Sequence, residues 1–497
     1  MNKLLLAAVA AVLATATAAT AQDAPSSNWM TQPRDWSATL REDATALHAV
    51  IIDSHPGVYD ALNPEFRTKA DAGLAEALLR AETTTDAGGW WWAMRAFVAS
   101  FDDGHVQMGL RDQSAGFPTR WPGFLTVYRG GDQIVATRDD ADPAAPPIGA
   151  RLIDCDGEQA DRLAQARVGE FRGRWFLESQ HALLGDWVFM NAANPWISDM
   201  RSCRLESEGR ITDYALTWRP IDAPDIASRR TALAQRGGTG FGLEVLDDGG
   251  LWMSMPSFDG APEGEAHRQL TAMITELSSR RAGARAAPFV VLDLRGNGGG
   301  SSHWSEEIAE RLWGEAWVNG HRPRPVEAIE WRASADNLAV IQGYLDEWTA
   351  AGESAERIGW ARDIVAGMTA ARAAGQIYWR DAADPAEPEP ASSLPTRVMA
   401  GPVYVVTDPV CASACLDAVD LWKALGAIQV GRETSADTVY MDVRDSALPS
   451  GLANVAIPMK VWRGRSRGNN EPQRPAHVFE GDIRDTAALR AWVRNLD

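Results

Sequence analysis

Apolar positions divide the chain into stretches of different period. From about Asp35 to Met108 they recur at helical spacing: Leu40, Ala44, Leu47, His48 and Ile51 share one face, and Leu74, Ala75, Ala77, Leu78 and Leu79 form a second band. A third helix is predicted from Gly89 through Trp90-Trp91-Trp92 to Phe101, and Gly104 in Asp102-Asp103-Gly104-His105 is placed to end it. Between about 113 and 235 the pattern turns to short β runs with many Gly and Pro. Strands are expected at 124–128, 133–137, 150–153 and 213–218, with a helix near 160–166. Further on, a strand at 250–255 and a helix at 263–277 lead into Phe289-Val290-Val291-Leu292-Asp293-Leu294. That β-branched run does not alternate, as expected of a strand buried on both faces of a parallel sheet. A glycine loop, Gly296-Asn297-Gly298-Gly299-Gly300, follows it, then a helix at 302–312. Residues 314–396 are Ala- and Trp-rich and predicted largely helical, closing in an exposed Pro-rich loop at 384–390. The sheet is expected to resume at Val403, with strands at 428–430 and 454–462 and a last helix at 486–496.

The stretch from Gly401 to Thr434 carries the most specific chemistry. A short apolar strand runs from Val403 to Thr407, and Asp408-Pro409 turns it. Ala414, Ala418, Leu421, Trp422 and Leu425 then recur at helical spacing until Gly426. Ser413 is thereby placed where a buried strand becomes a helix, beside free N–H groups and the positive end of a helix dipole. Nucleophilic serines use such junctions, because the same N–H groups can hold an oxyanion. The competing assignment is that Ser413 merely caps the helix. The glycine loop lacks the ending of a P-loop and the spacing of a dinucleotide fingerprint, so no cofactor is assigned. Its bare backbone can instead approach a substrate carbonyl and offer it N–H groups.

Composition narrows the context. The 497 residues are 45% hydrophobic and 23% charged, as in a globular chain of several domains. A formal net charge of −19 opposes nucleic-acid binding. Lys3, the apolar run from Leu4 to Ala14 and the small residues up to Ala19-Thr20-Ala21 form a signal-peptide pattern. Export to a periplasm or the medium is the expectation, with no stable membrane insertion once the signal is removed. Cys155, Cys203, Cys411 and Cys415 could form two disulfides in an oxidising compartment. Cys411 and Cys415 flank Ser413 at a spacing a bridge can span, and two buried thiols there are the alternative. No Cys/His spacing fits a zinc site, so no metal is assigned.

Two motifs together, V-V-L-D-L-R-G-N-G-G-G and the later V-Y-V-V-T-D-…-A-S-A-C-L-D-A-V-D with V-G-R-E-T, resemble the catalytic core of the tail-specific, C-terminal-processing and tricorn-like serine peptidases, peptidase family S41. Ser-His-Pro-Gly from Ser54 and Asp-Asp-Gly-His from Asp102 resemble that family's helical N-terminal segment, and N-E-P-Q-R-P-A-H from Asn470 its C-terminal one. Residues 148–160 resemble a strand–turn–helix passage of PDZ domains. The implied architecture is a multidomain α/β chain. It has a signal peptide (1–21), a helical N-terminal domain (22–112), a PDZ-like β domain (113–235) and an α/β catalytic core (236–497). The core is expected to hold a mixed or parallel sheet with flanking helices and a helical insertion at about 314–398.

The resemblance implies hydrolysis of a peptide or protein substrate. One branch of the family activates its serine with a lysine near a V-G-E-K-T-like strand end, where this chain reads Gly431-Arg432-Glu433-Thr434. Lys423 lies three helical turns from Ser413, on the order of 15 Å away, and nothing local marks Lys460. The other branch uses His, Ser and Glu, which points to Ser413 as nucleophile, His105 as base and Glu471 as the carboxylate orienting it. Ala414, Gly298 and Gly299 would supply the oxyanion hole. His303 is the rival base, and Glu480 and Glu433 are rivals of Glu471. Two other functions remain open: a non-catalytic secreted peptide-binding protein, and an esterase or amidase acting on a non-peptide substrate.

Overall fold

The computed structural model describes residues 29–238, 240–261, 264–323, 326–382 and 398–496. The signal-peptide pattern, the 384–390 loop and Glu263 lie outside the described residues. No described helix is long and apolar enough to cross a membrane.

Three N-terminal helices, Trp36–Ser54, Phe66–Ala81 and Ala87–Ala99, form where the helical period predicts them. Asp35 and Asp86 cap the first and third, each accepting a backbone N–H three residues on. Their core of Leu40, Leu47, Ile51, Phe66, Trp90 and Phe97 is shared with Val455, Ile457 and Val461 from near the chain's far end. Each such buried side chain contributes roughly 1.5–3 kcal/mol. The helices are therefore held by the C-terminal half as well as by one another.

Residues 113–235 hold two sheets. Phe124–Arg129, Asp132–Arg138, Arg151–Cys155, Ser202–Ser207 and Arg210–Ala215 lie side by side in one, and Cys155 and Cys203 are bridged across paired strands. A smaller sheet joins Arg219–Ile221, Thr119–Trp121 and Asn191–Ala192. The strand expected at 213–218 begins earlier, at Arg210, and ends at Ala215.

The predicted buried sheet is present. Leu251–Ser254, Val290–Asp293, Val403–Thr407, Ile428–Gly431 and His477–Val478 run parallel in that order, with Gly242–Val245 antiparallel at one edge. Leu292 and Val405 face the helices Glu265–Ala286, His303–Trp313 and Ala414–Ala424, while Val291 and Val406 face the helix Thr486–Val493. Two covered faces explain why Val290–Asp293 is buried at every position.

One expectation is corrected. The strand expected at 454–462 forms, as Ala453–Arg463, but outside the parallel sheet. It is central in a second, antiparallel sheet with Gln107–Leu110, Tyr440–Ala447, Ala328–Arg332 and Tyr378–Ala382. A strand's own pattern fixes its faces and not its partner, and here a hairpin with Tyr440–Ala447 decides the pairing. The described part of the insertion is largely helical, and its helices Ala335–Ala351 and Ala355–Ala373 stand between two paired strands, with Trp331 opposite Trp379.

Candidate active site

Strand Val403–Thr407 delivers the chain to a tight turn just ahead of the helix Ala414–Ala424. Ser413 sits at that junction with φ 53° and ψ −126°, and its side chain does not cap the helix. The capping assignment is thereby overturned. A non-glycine residue in this region costs on the order of 1–3 kcal/mol and persists only where its surroundings impose it. One constraint is the Cys411–Cys415 disulfide, whose Cα atoms are 5.3 Å apart on either side of the serine. A second is Asp408, which gathers three loops. It accepts the N–H groups of Gly237 at 3.0 Å, Gly296 at 2.8 Å and Val410 at 3.0 Å. Burial pushes the Asp408 carboxyl up to about 6, outweighing its three donors.

The glycine loop packs directly on the serine turn. Gly299 has φ 108°, and a Cβ added there would lie 2.8 Å from both Ala412 O and Ser413 Cβ. Only glycine fits. Its N–H, however, donates to Asn297 Oδ1 at 2.8 Å, and its carbonyl accepts from the Phe258 N–H. Gly299 is thus corrected from oxyanion donor to spacer. The N–H groups of Gly298 and Ala414 make no hydrogen bond among the described residues and stay available to an oxyanion.

His105 follows the third N-terminal helix and leads into Gln107–Leu110. Its backbone N–H donates to Asp103 Oδ1 at 2.8 Å, while its Nδ1 is buried without a partner, 3.8 Å from the same oxygen. Glu471 is exposed, and its Oε2 accepts the Gly468 N–H at 2.8 Å. No hydrogen bond joins Glu471 to His105 among the described residues, so the expected orienting contact is not made. The segments are nonetheless linked. Asn470 Nδ2 donates to Asp102 O at 2.7 Å, and Asn470 N donates to Asp437 O. Arg467, 1% exposed at its side chain, pairs with Asp417 and Asp420 of the serine helix and with Asp437. Arg174 closes the ring by donating to Ala436 O while packing over Gly104.

The rival groups are engaged elsewhere. Lys460 is paired with Asp442 at 2.7 Å and packed near Trp331 and Trp462 in the antiparallel sheet. Lys423 donates to Gln473. His303 pairs with Glu307 at 3.3 Å, and that hydrogen bond raises its pKa. Glu433 accepts from Arg474, and Glu480 lies 3.5 Å from Arg432. Sequence reasoning assigned no role to His55, Asp103, Asn297, Asp408 or Arg467. The signal for the first two was present in Ser-His-Pro-Gly and Asp-Asp-Gly-His.

No curated protein matches the sequence. Solved structures share the fold. One of mature CPAF has a TM-score of 0.56 at 12% identity, covering 89% of this chain and 93% of that one. Another, of mature CPAF complexed with lactacystin, has a TM-score of 0.55 at 13% identity, covering 92% and 97%. Residues 252–470 match the family model described as peptidase family S41. That segment, which holds the glycine loop, Ser413 and the Arg467 network, is thus similar to peptidase family S41.

Proposed function

We propose that the protein is an exported serine peptidase that cleaves peptide bonds through an acyl-enzyme on Ser413. The observation that carries this is the conformation of Ser413, held at positive φ on a strand-to-helix turn, free of any capping duty and packed against bare glycine backbone. In the reaction His105 takes the Ser413 hydroxyl proton as Oγ bonds to the peptide carbonyl carbon. The N–H groups of Ala414 and Gly298 receive the resulting oxyanion. The C–N bond then breaks as the imidazolium returns the proton to the leaving amine, and water releases the acyl group by the same steps in reverse. The engaged states of Lys460 and Lys423 favour a histidine base over a lysine. Two disulfides favour an oxidising compartment, consistent with export.

A serine-directed fluorophosphonate probe together with a peptide substrate tests this. The expected result is labelling of Ser413, with Ser413→Ala losing both labelling and turnover while its melting temperature changes little. Turnover by a folded Ser413→Ala would end the proposal. Absence of both labelling and turnover in the native chain would favour a peptide-binding protein, and turnover of esters alone would favour an esterase.

A further inference from the structure

The carboxylate expected to orient His105 is bonded elsewhere, while a different carboxylate is buried against the imidazole. We propose that Asp103, not Glu471, is the positioning residue for His105, and that His55 holds Asp103 in place for it. This rests on the peptidase function proposed above.

Asp103 lies between two imidazoles. One oxygen accepts the His105 N–H at 2.8 Å and stands 3.8 Å from His105 Nδ1. The other stands 3.5 Å from His55 Nε2. His105 Nδ1, Asp103 Oδ2 and His55 Nε2 are all buried and make no hydrogen bond among the described residues. A buried polar atom left unpaired costs free energy; here Asp103 Oδ2 faces His55 Nε2, and His105 Nδ1 lies beside the other oxygen of the same carboxylate. A closer approach of about 1 Å on each side would complete both hydrogen bonds, and such slack is common in catalytic sites without substrate.

The His55 side is fixed. Its Nδ1 accepts the Gly57 N–H at 2.9 Å, so in the neutral ring the proton is on Nε2, facing Asp103. The ring is fully buried, stacked on Phe66 at 4.2 Å and edge-on to Tyr440 at 5.0 Å. Burial lowers the His55 pKa and keeps the ring neutral. Burial also pushes the Asp103 carboxyl up, but the two imidazoles and the His105 N–H outweigh it and hold the carboxyl below its usual range. Asp103 is therefore ionised and able to accept. Arg174, Asp60 and Tyr440 are the other charged or titratable groups facing this cluster. Arg174 donates to Ala436 O, and the Tyr440 hydroxyl donates to Asp60.

With Nδ1 turned to Asp103, Nε2 is the nitrogen left to take the Ser413 proton. The imidazolium so formed would donate Nδ1–H to Asp103, which stabilises it without itself accepting the proton. No co-reactant is needed, and the proton leaves with the amine.

The test compares Asp103→Asn, His55→Gln and Glu471→Gln with Ser413→Ala and His105→Ala in the full chain, measuring kcat and KM across pH and probe labelling of Ser413. Asp103→Asn should lose about 100- to 10,000-fold in kcat with little change in KM. His55→Gln should lose about tenfold in kcat, and Glu471→Gln less than tenfold. Asp103→Asn within tenfold of the native rate, with Glu471→Gln as dead as His105→Ala, would overturn the inference. If Asp103→Asn does not fold, His55→Gln against Glu471→Gln decides by which loses more kcat. Turnover by Ser413→Ala would instead defeat the peptidase assignment, leaving Asp103 no base to position.

Discussion

At the scale of single residues, the site depends on backbone geometry as much as on side-chain chemistry. Gly298 and Gly299 are neighbours with opposite demands. A Cβ at Gly299 would collide with Ala412 O and Ser413 Cβ at 2.8 Å, on a backbone at φ 108°. A Cβ at Gly298 would meet nothing nearer than Val410 Cγ1 at 4.0 Å. Gly298→Ala is therefore expected to keep activity within a few fold. Gly299→Ala should push the serine turn aside and lose roughly 100-fold or more in kcat/KM, about the effect of a lost oxyanion donor. Steady-state kinetics on the two variants, with circular dichroism to confirm folding, checks this, and equal activities would show that the loop is not packed on the nucleophile. The run of glycines was legible in the sequence as a close-approach loop. Which glycine gives an N–H and which only makes room was not, because that depends on Asn297 turning its side chain back onto Gly299.

At the scale of elements, strand Val403–Thr407 and the serine helix were legible, since period and turn residues agree there. Their junction is held by Asp408, a role that Asp408-Pro409 disguises as an ordinary turn. Its partners Gly237 and Gly296 are 171 and 112 residues away, so no local pattern announces them. The raised carboxyl gives this junction a pH signature. With a folded value of about 6 against the ordinary carboxylate value of 3.8, the folded state binds the extra proton between those limits. Its contribution to stability is then fully present below about pH 3.8 and is lost as the pH rises through 6. Asp408→Asn does not titrate, so the stability of the native chain relative to this variant should grow as the pH falls from 7 to 4. The change should be on the order of 3 kcal/mol. Urea unfolding at several pH values measures it, and a difference independent of pH would mean that Asp408 is not desolvated as the fold implies.

At the scale of the whole molecule, the proposed base and nucleophile come from opposite ends of the sequence. Only tertiary contacts join the segments that carry them. His105 leads into Gln107–Leu110, which pairs with Ala453–Arg463, so the strand near 454–462 also ties the N-terminal helices to the antiparallel sheet. The resemblance to a known family placed these segments in order, but the sequence could not state what joins them. Arg467 joins them. It is buried with Asp417 and Asp420 on the serine helix and with Asp437, while Asn470, three residues on, holds the carbonyl of Asp102 beside the histidine turn. Burial lowers the Arg467 pKa, but the three carboxylates outweigh it and hold the guanidinium firmly protonated. Removing the cation leaves Asp417 and Asp420 without an ion-pair partner, while Arg465 keeps Asp437 at 3.0 Å, and breaking a buried pair costs about 3–5 kcal/mol. Arg467→Met should therefore lower stability by about that much and also slow turnover per folded molecule, because the serine helix loses its tie to the histidine turn. Arg467→Lys keeps one charge but cannot span three carboxylates with a planar fork, so it should recover part of the stability and little of the rate. Thermal melts read alongside kcat per labelled Ser413 separate the two effects. If Arg467→Met melts lower yet each labelled serine turns over at the native rate, the network only holds the fold together and does not align the catalytic groups.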